Sequence, residues 1–203
     1  MSALLPLFPL EVVLLPGALL PLHIFEPRYK EMIGECLEQK AEFGVVRVKE
    51  EEVSDLGCTA EVLKVIKQYD DGRMDIITVG RRRFEVMQLN HERSFLQADV
   101  IYVPDEPSSA SQEQNQRIVE LHKEILKLAN ADEPDYSELK QHQLSYELAG
   151  SLPIDLDFKQ SLLAMKSEAE RIPAIISFFE GIVPSLRHTA HVRRKAGGNG
   201  HAS

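Results

Sequence analysis

Leu20-Pro21-Leu22-His23-Ile24-Phe25-Glu26-Pro27-Arg28-Tyr29 is the stretch that decides how this chain is organised. Its first half is apolar around Pro21, which has no backbone N–H and so belongs to an edge or irregular strand. Its second half opens a helix. Pro27 suits a first-turn position, where a missing N–H costs nothing. Tyr29, Met32, Ile33, Cys36 and Leu37 then recur at i, i+3, i+4, i+7 and i+8, one apolar stripe. Glu26 and Glu31 lie near the helix's positive end, where carboxylates are favoured. A strand therefore hands over to a helix here.

The same stretch closes an almost wholly apolar run, Leu4 to Leu22, that resembles an export signal or a membrane span. No Lys or Arg precedes Arg28, so the basic start of a signal peptide is missing. Pro6, Pro9, Pro16 and Pro21 would break a spanning helix, and Glu11 would sit in hydrocarbon. We expect a cytoplasmic protein with no membrane partner.

Working outward, Leu4–Leu7, Glu11–Leu15 and Leu19–Leu22 read as short strands separated by prolines and the turn Pro16-Gly17. The prolines predict edge or irregular strands rather than a central ladder. Glu42–Val48 is a more regular strand. Thr59–Tyr69 and Arg73–Val79 flank Asp70-Asp71-Gly72, the best hairpin signal in the chain. Gly80 predicts a bulge or bend before Arg81–Leu89. Phe95–Val103 makes a final strand, with Leu96, Ala98, Val100 and Tyr102 on one face. Many short strands with tight turns favour a small closed or half-closed barrel.

Pro104–Ser111 is a polar linker, and beyond it the period is helical. Ile118, Leu121, Ile125 and Leu128 form one stripe, and Leu144 with Leu148 marks a second helix. Phe158, Leu162 and Met165 mark a third, with Asp155 or Asp157 as its N-cap. Ile172, Ile175, Ile176, Phe179, Ile182, Val183 and Leu186 form the strongest stripe. Ser167 and Glu170 suggest a capping box before it, although Pro173 then falls deep in the helix; a start one turn later, near Arg171, is the alternative.

The chain has 203 residues, 43% hydrophobic and 27% charged, with a formal net charge of −9. That suits a folded protein and argues against a nucleic-acid partner unless a local basic patch exists. Cys36 and Cys58 lack CxxC spacing and read as small buried residues in a reducing compartment.

The run Leu5-Pro6-Leu7-Phe8-Pro9-Leu10, Leu15-Pro16-Gly17 and Leu20 to Tyr29 resembles the opening of the LON substrate-binding domain, as in Lon proteases, cereblon and RING-finger LON proteins. Phe43-Gly44-Val45-Val46, Gly57-Cys58-Thr59-Ala60-Glu61-Val62, Asp71-Gly72-Arg73 and Val79-Gly80-Arg81-Arg82-Arg83-Phe84 follow in matching order. Leu152-Pro153-Ile154 onward is similar to the helical bundle behind that barrel. The resemblance implies an α+β fold: a β-rich, PUA-like pseudo-barrel over 1–105 with one inserted helix, then a C-terminal helical bundle over 106–188. A disordered basic tail is expected over 189–203. It further implies a non-catalytic module that binds peptides or unfolded client proteins. No GxxxxGK[ST] phosphate loop is present, and no stretch reads as a protease domain with its Ser–Lys pair.

His23, Phe25, Glu26, Arg28 and Tyr29 are the first candidate site, with the two aromatics as anchors and Arg28 gripping a carboxylate or carbonyl. The competing reading gives Phe25 and Tyr29 to packing and pairs Glu26 with Arg28 or the backbone. Arg82, within Arg81-Arg82-Arg83, is a second candidate. The alternative function, RNA binding by the barrel, rests on this run. Strand alternation would put Arg82 opposite Arg81 and Arg83. His188 and His191 lack carboxylate or Cys partners, and Glu50-Glu51-Glu52 with Asp55 reads as a solvated loop, so no metal or other cofactor is expected.

Overall fold

The computed structural model describes residues 4–140 and 143–198. In chain order it contains β1 (Leu5–Leu10), β2 (Leu19–Ile24), α1 (Pro27–Gln39), β3 (Phe43–Lys49), β4 (Glu52–Gln68), β5 (Met74–Asn90), β6 (Gln97–Tyr102), α2 (Gln112–Ala129), α3 (Leu144–Gly150), α4 (Leu156–Ala164) and α5 (Glu168–Gly198). The chain divides into two compact units. The first comprises the residues up to Asp105 together with Ala149–Lys166; the second comprises Glu106–Leu148 and the residues from Ser167 onward.

In the first unit the strand order is β2-β5-β4-β3-β1-β6, and β5 also pairs with β6. The ladder β5-β4-β3-β1-β6-β5 therefore closes on itself as a barrel, and β2 hangs outside it on the first half of β5. Phe84 is fully buried inside the ring with Leu5, Leu7, Val46 and Ala98. A Cβ added at Gly44 or at Gly57 would lie 2.6 Å from the Phe84 ring, so these two positions leave the space that the ring fills.

β1 departs from expectation. It lies between β3 and β6 despite Pro6 and Pro9. Pro6 pairs only with Gln97 and Pro9 only with Val46, so each proline faces one ladder and leaves no neighbour without a donor. The segment expected as a strand at Glu11–Leu15 is instead a connection that buries Leu14 and Leu15. It ends in a turn with Pro16 at the second position and Gly17 at φ 80°, closed by Ala18 N–H donating to the Leu15 carbonyl at 3.1 Å. The next contact fixes Gly80: a Cβ there would lie 2.2 Å from the Leu15 carbonyl oxygen.

The second arm of the β3–β4 hairpin also begins earlier than expected. Lys49 pairs with Glu52 across Glu50 and Glu51, at φ 53° and 69°. This two-residue turn has the left-handed backbone that usually takes Asn-Gly, so the sequence reads as a loop. The expected hairpin at Asp70-Asp71-Gly72 is present, with Gly72 at φ 81°. In α1, Pro27 occupies the first turn, and Tyr29, Met32, Ile33 and Cys36 are buried.

Residues 149–166, grouped by sequence with the helical half, pack with the strands. Asp155 caps α4 by accepting from Phe158 N–H at 2.9 Å. Asp157 accepts from Arg47 at 2.6 Å and from Lys49 at 3.1 Å, while Gln160 donates to the Leu56 carbonyl at 2.9 Å.

In the second unit, Ser111 and Gln114 form a reciprocal capping box that starts α2. Ile118, Leu121 and Ile125 of α2 are buried, as are Ile172, Ile175, Phe179 and Val183 of α5. Buried Arg171 donates to Ser145 Oγ at 2.8 Å and to Glu168 at 2.9 Å, so its charge is matched inside the core. The expected disordered tail is corrected over 189–198, where α5 continues. Residues 189–193 contain neither Pro nor Gly to stop that helix. The rest of the expected tail, 199–203, lies outside the described residues.

Candidate functional site

The β2–β5–β4 ribbon is built from aligned cross-strand rows. Leu20, Thr78 and Val62 form one row, Leu22, Ile76 and Val65 the next, and Ile24, Met74 and Gln68 a third. In these rows Thr78, Ile76, Ile24 and Met74 are buried, which defines the inner face. The alternating rows form the outer face: Leu19–Val79–Glu61, Pro21–Ile77–Lys64 and His23–Asp75–Lys67.

Val79 of that face is buried and Ile77 half-buried, while apolar side chains near them are exposed. Leu19 is 64% exposed and Phe25, just past the end of β2, is 59% exposed. The register slips between Val62 and Lys64 and again between Val65 and Lys67, leaving Leu63 and Ile66 as extra residues along β4. They are 50% and 54% exposed. Single exposed apolar residues need no explanation, but several on one ribbon make it a candidate interaction surface.

A polar cluster bounds one end. His23 Nδ1–H donates to Asp75 Oδ1 at 2.6 Å, and Tyr69 O–H donates to Asp75 Oδ2 at 2.8 Å. These hydrogen bonds, His23 first, hold the Asp75 carboxyl below the usual carboxylate range. The His23 ring stacks on Phe25 with centroids 5.9 Å apart and meets Tyr69 edge-on at 6.0 Å. Lys67 lies 4.3 Å above the Tyr69 ring.

The sequence-picked residues are thus divided. His23 and Phe25 stand at the end of the outer face. Arg28 pairs with Glu26 at 2.8 Å and lies over the Tyr29 ring at 4.6 Å. Tyr29 is buried, its ring 4.1 Å from that of Phe8, which gives it to the packing of α1. Arg82 lies elsewhere, paired with Glu42 at 3.0 Å and stacked over Tyr102 at 3.9 Å.

Expected alternation fails at the arginine run. Arg81 and Arg82 are both exposed, and Arg83 is buried. Opposite the single Thr59, β5 carries both Arg81 and Arg82, and this bulge breaks the two-residue period. Arg81 pairs with Glu61 at 2.6 Å. Arg83 donates to the Leu163 carbonyl at 2.6 Å, the Met165 carbonyl at 2.8 Å and Asp105 at 2.6 Å.

Leu19, Pro21, Leu63, Ile66 and Ile77 were not singled out by sequence. The available signal was Val62-Leu63-Lys64-Val65-Ile66-Lys67, in which apolar residues fall on both parities of one strand. Among the described residues no cluster of three or more His, Cys, Asp or Glu side chains is placed to hold a metal. Among them, too, no helix is long and apolar enough to cross a membrane.

Comparison with known proteins matches these features to one group. The family profile described as the ATP-dependent protease La (LON) substrate-binding domain covers residues 4–180. Lon protease of Cytophaga hutchinsonii is 24% identical over 95% of this chain and 26% of its own length. Lon protease of Parabacteroides distasonis is 30% identical over 50% of this chain and 13% of its own length. The chain thus spans about a quarter or less of these relatives. Among solved structures, the Lon N-terminal domain protein from Xanthomonas campestris superposes with a TM-score of 0.70 at 24% identity, covering 87% of this chain and 98% of that one. The N-terminal domain of the Mycobacterium avium complex Lon protease gives 0.66 at 19% identity, covering 88% and 98%. With a profile match over most of its length and the same fold in both neighbours, the chain belongs to the LON substrate-binding domain family.

Proposed function

We propose that this chain is a non-catalytic binding module that captures exposed apolar segments of unfolded or client proteins on the outer face of the β2–β5–β4 ribbon. The observation that carries this reading is the alignment of Leu19, Pro21 and Ile77 in adjacent outer rows, extended by exposed Leu63 and Ile66. Keeping that much apolar surface in water is unfavourable, and covering it with a partner recovers roughly 25 cal/mol per Å². Membership of a family described as the substrate-binding domain of an ATP-dependent protease supports the same reading. Work in the reducing cytoplasm agrees with the free thiols of Cys36 and Cys58, which burial pushes up to about 11 and about 12. The RNA-binding alternative is disfavoured because Arg81, Arg82 and Arg83 are each committed to carboxylates or carbonyls.

An array of overlapping peptides from an aggregation-prone protein tests the proposal. Wild type should enrich apolar-rich peptides over counterparts with serine in place of the apolar residues. The double variant Leu63→Ser/Ile66→Ser should lose most of that enrichment while melting at nearly the same temperature. Equal retention of apolar and serine peptides by wild type would sink the reading.

A further inference from the structure

The charges on the outer face do not balance locally. Its two carboxylates are satisfied: Glu61 pairs with Arg81 at 2.6 Å, and Asp75 accepts from His23 and Tyr69. Its two lysines are less so. Among the described residues, exposed Lys64 has no hydrogen-bond or ion-pair partner, while Lys67 lies 4.3 Å above the Tyr69 ring and is attracted to Asp75, whose two oxygens already accept from His23 and Tyr69. This occurs in a chain whose formal net charge is −9, where a free cation on a chosen face has an abundance of potential acidic neighbours.

Their placement is regular. Lys64 lies beside Ile77 and Lys67 beside Asp75, neighbouring outer-face rows two residues apart along β5. That separates their attachment points by about 7 Å, the repeat of same-side residues in an extended chain. The bulge at Ile66 sets this spacing by restoring both lysines to partners of the same parity.

On the reading of this face as a capture surface, we infer that Lys64 and Lys67 select apolar segments carrying two acidic residues at positions i and i+2. The competing role for lysines on an open strand is protection against edge-to-edge pairing. A charged glutamate also blunts an edge, so charge reversal separates the two.

The test is a fluorescence anisotropy titration of the full chain at low salt with three labelled peptides. They share one apolar core of leucine and phenylalanine and carry Glu-x-Glu, Gln-x-Gln or Lys-x-Lys beside it. The Glu-x-Glu peptide should bind about fivefold to tenfold more tightly than the Lys-x-Lys peptide, with the gap shrinking toward parity as salt rises. In Lys64→Glu/Lys67→Glu the order of the Glu-x-Glu and Lys-x-Lys peptides should reverse. Equal affinity of wild type for all three peptides overturns the selectivity and leaves the capture surface standing. An unchanged order in the double variant also overturns it. Binding of none of the three overturns both.

Discussion

The long strands β4 and β5 pass through two situations. Where they help close the ring, Phe84 fills the interior against Gly44 and Gly57, and every strand has a neighbour on each side. Where they run on beside β2, Ile24, Met74, Ile76 and Thr78 are buried, whereas Leu19 and the unpaired Leu63 and Ile66 are exposed. Residue type does not separate the halves, because both are rich in Val, Ile and Leu. Topology does: the ring removes its own edges, whereas β2 borders only the first half of β5 and the ribbon runs on beyond the ring. Apolar residues fill the interior of the ring, where Met87 and Ile101 are also exposed, whereas in the ribbon Leu19, Leu63 and Ile66 are the exposed ones.

The largest effect should come from breaking the closed half. Phe84→Ala leaves a cavity that the two glycines cannot fill, and chemical denaturation should show a loss of about 3–5 kcal/mol. The same truncation applied to the exposed Leu63 or Ile66 of the ribbon should barely register in stability.

Histidine sharpens the contrast between interior and surface. His23 is on the open face, but His122 is fully buried in the second unit, with its Nδ1 2.8 Å from the Tyr136 hydroxyl. Burial pushes the His122 imidazole down from 6.5 to about 4. The unfolded chain therefore binds the proton first. Stability should be whole above pH 6.5 and decline as the pH falls toward 4, by about 3 kcal/mol from this group. Denaturation across that range should show the decline in wild type and a flatter profile in His122→Gln.

On the open face, Leu63→Ser and Ile66→Ser should each weaken binding of an apolar peptide by about fivefold to thirtyfold, a loss of about 1–2 kcal/mol of burial. Folding stability should change by no more than about 0.5 kcal/mol. Titration and denaturation of the same preparations check both halves of the statement. The smallest effect belongs to the β3–β4 turn: Glu51→Gly relieves a left-handed non-glycine residue at φ 69° and should raise stability by about 0.5–1 kcal/mol.

Much of the fold was readable where local chemistry and tertiary structure agree. Asp70-Asp71-Gly72 forms its hairpin, Pro27 starts α1, and the Ile172–Val183 stripe faces a core. The misreadings have physical causes. Pro6 and Pro9 suggested an edge, but staggered pairing lets a proline strand sit inside a sheet. Glu50-Glu51 hid a tight turn because neither residue is the usual glycine or asparagine. The candidate site was less legible. Of the residues picked from Leu20 to Tyr29, His23 and Phe25 stand at the end of the outer face, whereas Tyr29 went to the core. Alternation assigns a residue to a face without saying whether anything covers that face, and the two bulges in β4 scrambled even the alternation for Leu63 and Ile66.

The most direct test is a map of backbone amide shifts as an unfolded, apolar-rich polypeptide is added to the isotope-labelled chain. The account predicts that the perturbed amides cluster on β2, on β5 from Met74 to Val79, and on β4 from Glu61 to Gln68. Perturbations confined to α2 and α5, or to the closed half around Phe84, would contradict it.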